Sequence, residues 1–464
     1  MPAIPNDRID TLRQGLRGAV LTPTDAGYDA ARTIWNATCD KRPALLVQCA
    51  GVADVVTAVN FARDNGLPLA VRGGGHNIAG SAICEGGLVI DFTRMRSVQI
   101  NLSTNRAYVE PGATLADFDH EALAVGLATP LGINSTTGVA GLTLGGGFGW
   151  LSRKYGMTID NLVSCDVVTA DGQRVLANAK DHPDLFWALR GGGGNFGVVT
   201  LFEFRLHKVG PDVLAGLIVF PADQAKSVLR KYRDFVDTMP DDLSVWVVLR
   251  KAPPLPFLPP AVHGTDVLVL PVFYAGDPAQ GQALLAPVQA FGTPLGAHVG
   301  VMPYTAWQKM FDPLLGPGAR NYWKSHNFST LPDEAIDAMV DYAARLPSPL
   351  ADIFIGLIGG QTTRVAPDAM AYHHRDARFV LNVHSRWERP DEDQACIAWA
   401  RDFFRATEPY ATGGVYVNFL TEEETGRIGA AYGPNYARLA QIKRTYDPQN
   451  LFRANQNIAP ASAP

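Results

Sequence analysis

The sequence predicts an α+β fold in two successive parts, with the end of the chain returning to the first part. Three observations predict it. Residues 1–205 alternate short apolar strands with helices and carry three glycine-rich stretches. Residues 206–413 lack such stretches and alternate longer apolar strands with helices. From Gly414 the chain regains the compact apolar character of its beginning. The expected divisions are therefore 1–205, 206–413 and 414–464. With 464 residues, 47% apolar and 18% charged, the chain is long enough to bury cores of two or three domains.

A net charge of -5 leaves no basic surplus for a nucleic-acid backbone or an anionic membrane. The N-terminal stretch has no apolar run behind a basic start, and no later window approaches a membrane-spanning length of uninterrupted apolar residues. The expected location is the cytoplasm. Cys39, Cys49, Cys84, Cys165 and Cys396 are odd in number, widely spaced and without a CxxC pair, which argues against a disulfide framework or a zinc site.

In order, Tyr28 to Ala37 suits a short helix and Ala44–Cys49 a strand. In the segment Val52 to Asp64, Val55, Val56, Val59 and Ala62 recur on one helical face. Two strand-like segments, Pro68–Val71 and Leu88–Asp91, then flank a loop opening with RGGGHNIAG. Glycine reaches positive φ and admits a ligand to the main chain. Gly73, Gly74 and Gly75 can thus aim successive N–H groups at a pyrophosphate, framed by Arg72 and His76. A tight turn between strands accounts for the same residues. Val98–Asn101 and Arg106–Val109 read as a hairpin, followed by a helix near Leu115–Val125.

The second glycine-rich stretch, Gly132 to Trp150, has no charged residue. It offers backbone and hydroxyl hydrogen bonds to something flat and polar-edged, or packs beneath its own domain. Asp160 and Asn161 precede the apolar strand Leu162–Ala170. The third stretch, Gly191 to Gly197, holds a formal G-x-G-x-x-G at Gly192, Gly194 and Gly197. A dinucleotide-binding unit needs a strand before that motif and a helix after it. Here Asp184–Leu189 reads as helix and Gly197–Phe204 as strand, so the order is reversed and tightly bound NAD is rejected.

Beyond Leu206, the strands Leu217–Phe220, Val245–Leu249 and Val267–Phe273 alternate with helices Ala225–Thr238 and Gln282–Phe291, predicting an antiparallel sheet backed by helices. Ala252 to Val262 is too proline-rich for regular structure. Val415–Phe419 reads as a strand, and Tyr436 to Thr445 as a helix ended by Asp447-Pro448.

Together these stretches resemble the berberine-bridge-enzyme-like FAD-linked oxidoreductases of the vanillyl-alcohol-oxidase superfamily, which carry a PCMH-type FAD-binding domain. The resemblance covers essentially the whole chain. It rests on VRGGGHNIAG (71–80), TTGVAGLTLGGGFGWL (136–151), GMTIDNLVSCDVVTADG (156–172), DLFWALRGGGGNFGVVT (184–200), and YVNF with YGPNYARLAQIKRTYDPQNLF near the C-terminus. It implies a two-part FAD-binding domain plus an antiparallel-sheet substrate domain covered by helices, with FAD as cofactor and a small molecule and molecular oxygen as partners. In that family the histidine of the first loop is bonded to the flavin 8α carbon, and the matching position is His76; a neutral imidazole nitrogen is the nucleophile required. Many members add a second bond from a cysteine at the position of Asn134. Asparagine cannot form that thioether, so a singly attached flavin is implied. Cys165 sits inside a strand and reads as core filling. The implied flavin contacts are Arg72, Gly73, Gly74, Gly75, His76, Asn77, Thr136, Thr137, Gly138, Gly141, Asp160, Val199, Tyr416 and Asn418. Thr137 and Leu142 are implied near the flavin N5 side.

The base is harder to place. In many relatives a tyrosine follows the YxN asparagine, and here that position is Phe419. The candidates are Tyr416 and the segment NYWKSHNF, where Tyr322, Lys324 and His326 share a face if it is a strand. A lysine in an apolar pocket loses basicity and can serve as a base, or it can anchor an anion. A solvated strand is the plainer alternative. His384 is a further candidate, with a core or interface role as its alternative; His120 lacks the second histidine of a zinc motif. No metal site is implied. The expectation is an FAD-dependent oxidase acting by hydride transfer to flavin N5, with O2 as acceptor. Its substrate is an alcohol or amine carbon of a small aromatic, heterocyclic or polyketide-like compound. The alternatives are a dehydrogenase using another acceptor and a flavin-binding protein without turnover.

Overall fold

The computed structural model describes residues 4–462. After a helix over Asn6–Gln14 come β1 (Ala19–Leu21), β2 (Leu45–Gln48), α1 (Val52–Asp64), β3 (Leu69–Arg72) and β4 (Leu88–Asp91). These strands form a sheet in the order β1-β2-β4-β3, parallel at both contacts of β4 and antiparallel at β1. All four residues of β4 are buried, as a parallel strand covered on both faces requires. On α1, Val55, Ala58, Val59 and Ala62 are fully buried; of the expected face Val56 is only half-buried, and Ala58, which completes the three-and-four spacing, takes its place. The helix expected from Tyr28 to Ala37 stops at Arg32. Thr33 turns extended, and the Trp35 N–H donates to Gly75 O at 3.1 Å, which draws Trp35 onto the first glycine loop.

A second, wholly antiparallel sheet follows: β5 (Val98–Asn101), β6 (Arg106–Val109), β7 (Leu162–Val168), β8 (Arg174–Asn178) and β9 (Val198–Arg205), in the order β5-β6-β9-β7-β8. Cys165 is buried within it. The helices α2 (Leu115–Leu123), α3 (Val139–Leu144) and α4 (Pro183–Leu189) lie between these strands in the chain. Thr114 and Asp117 close a reciprocal capping box at the start of α2. The third glycine cluster joins α4 to β9, helix to strand, the reverse of a dinucleotide-binding turn.

The third sheet has eight antiparallel strands. It contains β10 (Asp212–Pro221), β11 (Leu243–Val245), β12 (Val247–Lys251), β13 (Asp266–Tyr274), β14 (Gly296–Pro303), β15 (Arg320–Phe328), β16 (Asp352–Leu357) and β17 (Phe379–Trp387). The path is β14-β10-β13-β12-β16-β17-β15, with β11 also on β13. The strand expected over 245–249 is interrupted at Trp246. Its partner Pro271 has no N–H, so the pair keeps only the bond from Trp246 N to Pro271 O. Of the helices α5 (Ala225–Val236), α6 (Tyr304–Gln308), α7 (Asp333–Ala343) and α8 (Asp393–Thr407), α8 packs on β15 and β17, α7 on β12 and β16, and α5 on α7. That leaves the opposite face of the sheet to line a cavity.

The terminal segment returns to the first half. Val415, Leu439, Ile442 and Ile458 share a core with Leu185, Phe186 and Phe202. On α9 (Tyr436–Tyr446), the fully buried Lys443 ammonium meets Asp447 at 2.7 Å and also donates to Asn195 O and Phe452 O. These bonds satisfy a charge that would be costly to bury alone. Val415–Phe419 is not the expected strand: Val417–Phe419 is a 3-10 turn.

Candidate active site

The first two glycine loops meet main chain to main chain. A Cβ on Gly74 would lie 2.3 Å from Gly138 N, and one on Gly138 would lie 2.4 Å from Gly74 N, so neither position admits a side chain. Where they meet they wall a cavity of about 410 Å³, which continues past the third glycine loop and over the face of the large sheet. Gly73, Gly74, Gly75, His76 and Asn77 line it from the first loop, and Thr137, Gly138 and Gly141 from the second. Val199, Tyr416 and Asn418 complete that wall. A Cβ on Gly141 would meet nothing within 4 Å, so the cradle is open where a flat ligand would rest.

His76 is held by a short relay. The Thr136 N–H donates to Asn134 Oδ1 at 3.0 Å, which identifies that atom as the amide oxygen. The Thr136 hydroxyl lies 2.7 Å from the same oxygen and can bond it only by donating. Its one proton is then committed, so Thr136 Oγ1 accepts from His76 Nε2 at 2.9 Å. His76 is thereby the tautomer protonated on Nε2, with its lone pair on Nδ1. Burial, with Arg386 nearby, holds the imidazole down to about 4 and keeps it neutral at physiological pH. Trp35 stacks on the ring at 5.1 Å. No motif or spacing marked Trp35 in the sequence. The loop is pinned from the large-sheet side, where Asp312 accepts from the Ser135 N–H at 2.9 Å and from its hydroxyl.

Three expected flavin contacts lie elsewhere. Arg72 turns away from the cavity to pair with buried Asp91 at 2.7 Å and to donate to Ala31 O and Thr33 O, bracing the loop from behind. Asp160 is taken up by Arg375, at 2.7 and 2.9 Å, and by the Met157 N–H. Thr136 reaches His76 without lining the cavity.

The expected bases are also redistributed. Tyr322, Lys324 and His326 do share one face of β15, but it is the face against α8. The Tyr322 hydroxyl bonds Glu423 and accepts from Arg401; Lys324 Nζ lies 3.1 Å from Glu423 and 3.3 Å from Glu424; and His326 stacks on Phe404 at 4.0 Å. Their neighbour Trp323 faces the cavity instead. Tyr416 does line the cavity, and its hydroxyl accepts from the Gly147 N–H at 3.0 Å and from Asn418 Nδ2 at 2.9 Å. The 3-10 turn folds Asn418 back onto this hydroxyl, where its amide also donates to Leu142 O. Burial outweighs both bonds and pushes the phenol up to about 12, so Tyr416 keeps its proton.

A polar row crosses the cavity face of the large sheet. Arg250 on β12 pairs with Asp352 on β16, Asp352 with His384 on β17, and His384 with Trp323 on β15. Asp352 Oδ1 is 3.4 Å from His384 Nδ1, and Asp352 Oδ2 is 3.6 Å from Arg250 Nη1. His384 Nε2 is buried without a partner among the described residues, as are Asn382 Oδ1 and Trp323 Nε1. Around this row the walls are aromatic: Trp150 stacks on Trp246 at 4.3 Å, and Phe354 meets Trp246 edge-on at 5.1 Å. These cross-strand neighbours lie far apart in sequence, and of them only His384 is marked by its residue type as a candidate base.

The family description "FAD binding domain" matches residues 43–178, and "Berberine and berberine like" matches 415–459. The chain is 31% identical over 452 residues to an uncharacterized FAD-linked oxidoreductase of Bacillus subtilis, covering 96% of this chain and 97% of that one. It is 30% identical over 462 residues to the (R)-6-hydroxynicotine oxidase of Paenarthrobacter nicotinovorans, at 96% and 97% coverage. The crystal structure of 6-hydroxy-D-nicotine oxidase from Arthrobacter nicotinovorans matches with a TM-score of 0.85 at 28% identity, covering 96% of this chain and 98% of that one.

Proposed function

Because this chain belongs to the berberine-like FAD-linked oxidoreductases and is an FAD-dependent oxidoreductase, we propose that it oxidises an alcohol or amine carbon of a small aromatic or heterocyclic substrate, with O2 as acceptor. In this reading His76 tethers the cofactor and His384 takes the substrate proton. The observation that carries the second assignment is the buried His384–Asp352 pair, with Nε2 left unpartnered on the cavity side of the sheet.

The residues present fit FAD. Gly73, Gly74 and Gly75 line the cavity and their main-chain N–H groups donate to no other described residue, Gly141 leaves room for a flat ring, and His76 presents a neutral Nδ1 as nucleophile. Gly73 to Gly75, Thr137, Gly138, Val199 and Asn418 would hold it. When bound, FAD would supply a two-electron acceptor for the substrate hydride, and O2 with two protons would take those electrons to give hydrogen peroxide.

The chain's own work is to orient the substrate and move one proton. Asp352 beside Nδ1 favours the His384 tautomer protonated there and leaves the Nε2 lone pair to accept the substrate O–H or N–H proton. The same carboxylate then stabilises the imidazolium. Trp150, Trp246 and Phe354 give a flat substrate an apolar bed and exclude water from that transfer. Phe419, edge-on to Tyr416 at 4.9 Å and to Trp323 at 5.4 Å, adds an apolar wall where many relatives carry a tyrosine.

The test is turnover of purified protein on a panel of aryl alcohols and amines in air. Hydrogen peroxide should appear in step with product. His384→Gln should lower kcat by about 10²–10⁴ while the flavin spectrum is retained. Undiminished kcat in that variant removes His384 from the mechanism, and turnover only with an artificial acceptor makes the protein a dehydrogenase.

A further inference from the structure

The cavity contains a cation for which the proposed proton transfer has no use. Arg250 is 9% exposed and lines the cavity floor beside Val248 and Asp352. Its Nε donates to Lys251 O at 3.2 Å, but neither terminal nitrogen makes a hydrogen bond among the described residues. The nearest anion, Asp352 Oδ2, is 3.6 Å from Nη1, beyond a normal N–H···O length, and Asp352 is shared with His384.

The surrounding charge does not balance. Arg386 on β17, 5% exposed, lies over Trp35 and donates to Asn321 Oδ1 and Gly316 O. The buried ions around the row are thus two guanidinium groups and one carboxylate. Glu388, just past the end of β17, is exposed. The Arg250 guanidinium is nine-tenths buried, its terminal nitrogens keep a residual exposure and have no hydrogen-bond partner among the described residues, and a planar anion bonded by them would fill those donors.

We infer that Arg250 is the anion-recognition residue of the substrate site and that the substrate is an aromatic carboxylic acid. Arg250 and His384 stand two strands apart, about 10 Å at the usual spacing. The carboxylate is held at Arg250, and the oxidisable alcohol or amine carbon lies one aromatic ring away, toward His384. This inference rests on the reading of the cavity as a substrate site, and it is tested without turnover.

Holoenzyme is titrated at pH 7 by calorimetry with benzoate and with its neutral isostere benzamide. Wild type is expected to bind benzoate at least tenfold more tightly than benzamide. Arg250→Gln should reduce that preference to within about twofold while leaving benzamide affinity unchanged. Arg250→Lys, which keeps the charge without the planar fork, should retain part of it and guards against a folding defect in the glutamine variant. His384→Gln should keep the full preference, so an error about the base is distinguishable from an error about the anion site. Wild type binding both probes alike, or neither, overturns the inference. So does an Arg250→Gln protein that still prefers benzoate.

Discussion

Asn134 sets the tautomer of His76, the proposed flavin tether. Through Thr136 it holds the proton of His76 on Nε2 and leaves the Nδ1 lone pair free for the proposed attachment. Acid-precipitated wild-type protein should therefore keep its yellow colour in the pellet, and His76→Ala should release all of it. Thr136→Val removes the acceptor without changing the side-chain shape, and should slow covalent attachment about 2–10-fold, the worth of one hydrogen bond. Peptide mass spectrometry over a reconstitution time course measures this, and an unchanged rate in Thr136→Val would show that the relay is incidental. The pH dependence has a definite sign. Only the neutral ring attacks, and burial holds His76 down to about 4, so the rate of attachment should be flat from pH 8 to pH 5 and fall as pH drops through 4.

Strand parity was legible in NYWKSHNF, but the face that each parity presents was not. Alternation puts Tyr322, Lys324 and His326 together, and whether that set meets cofactor or helix depends on where α8 lands, which no local pattern encodes. Lys324 is held by Glu423 and Glu424 outside the cavity, so Lys324→Met should leave kcat within about twofold. It should still cost stability, of order 1–3 kcal/mol, because Glu424 loses a buried partner. A drop in kcat with unchanged thermal stability would return Lys324 to the reaction. Other elements divide along similar lines. The helix Val52–Asp64 was readable in its bounds because its apolar pattern is periodic and local, although Ala58 rather than Val56 completes the buried stripe. Val415–Phe419 has the β-branched and aromatic composition of a strand, yet folds as a 3-10 turn because Tyr416 and Asn418 are bonded to the second glycine loop. The glycine loops and His76 stand out in the sequence because each is a contiguous motif, and the structure brings them to one cavity wall. The row Arg250–Asp352–His384 was not, since its members become neighbours only through sheet register.

At the scale of the whole molecule, the cavity lies between two halves, and one buried carboxyl joins them. Asp119 on α2 accepts from Gln308 Nε2 at 3.1 Å, and the same amide donates to Gly132 O on the cavity wall, so α6 of the large-sheet half is hydrogen-bonded to the flavin half. Burial pushes the Asp119 carboxyl up to about 7 from 3.8. The folded protein therefore binds this proton more tightly than the unfolded chain. The associated stability is complete below about pH 4 and is lost as pH rises through 7. His76, His207 and His326 act in the opposite direction. Burial lowers each to about 4 from 6.5, so their contribution is lost as pH falls from 6.5 toward 4. The two windows overlap, and because three imidazoles oppose one carboxyl, stability should rise with pH through this range and level off near pH 7. Asp119→Asn separates them, because asparagine reproduces the protonated form and cannot ionise. At pH 8 it should raise the unfolding midpoint by a few degrees by removing a buried charge, and at pH 5 by less, because there Asp119 is protonated in the folded protein and ionised in the unfolded chain; only below about pH 4 should the midpoint be unchanged. Thermal scans of both proteins across this range measure the difference. Equal shifts at pH 5 and pH 8 would mean that Asp119 does not titrate between them and that the junction of the two halves is indifferent to its charge.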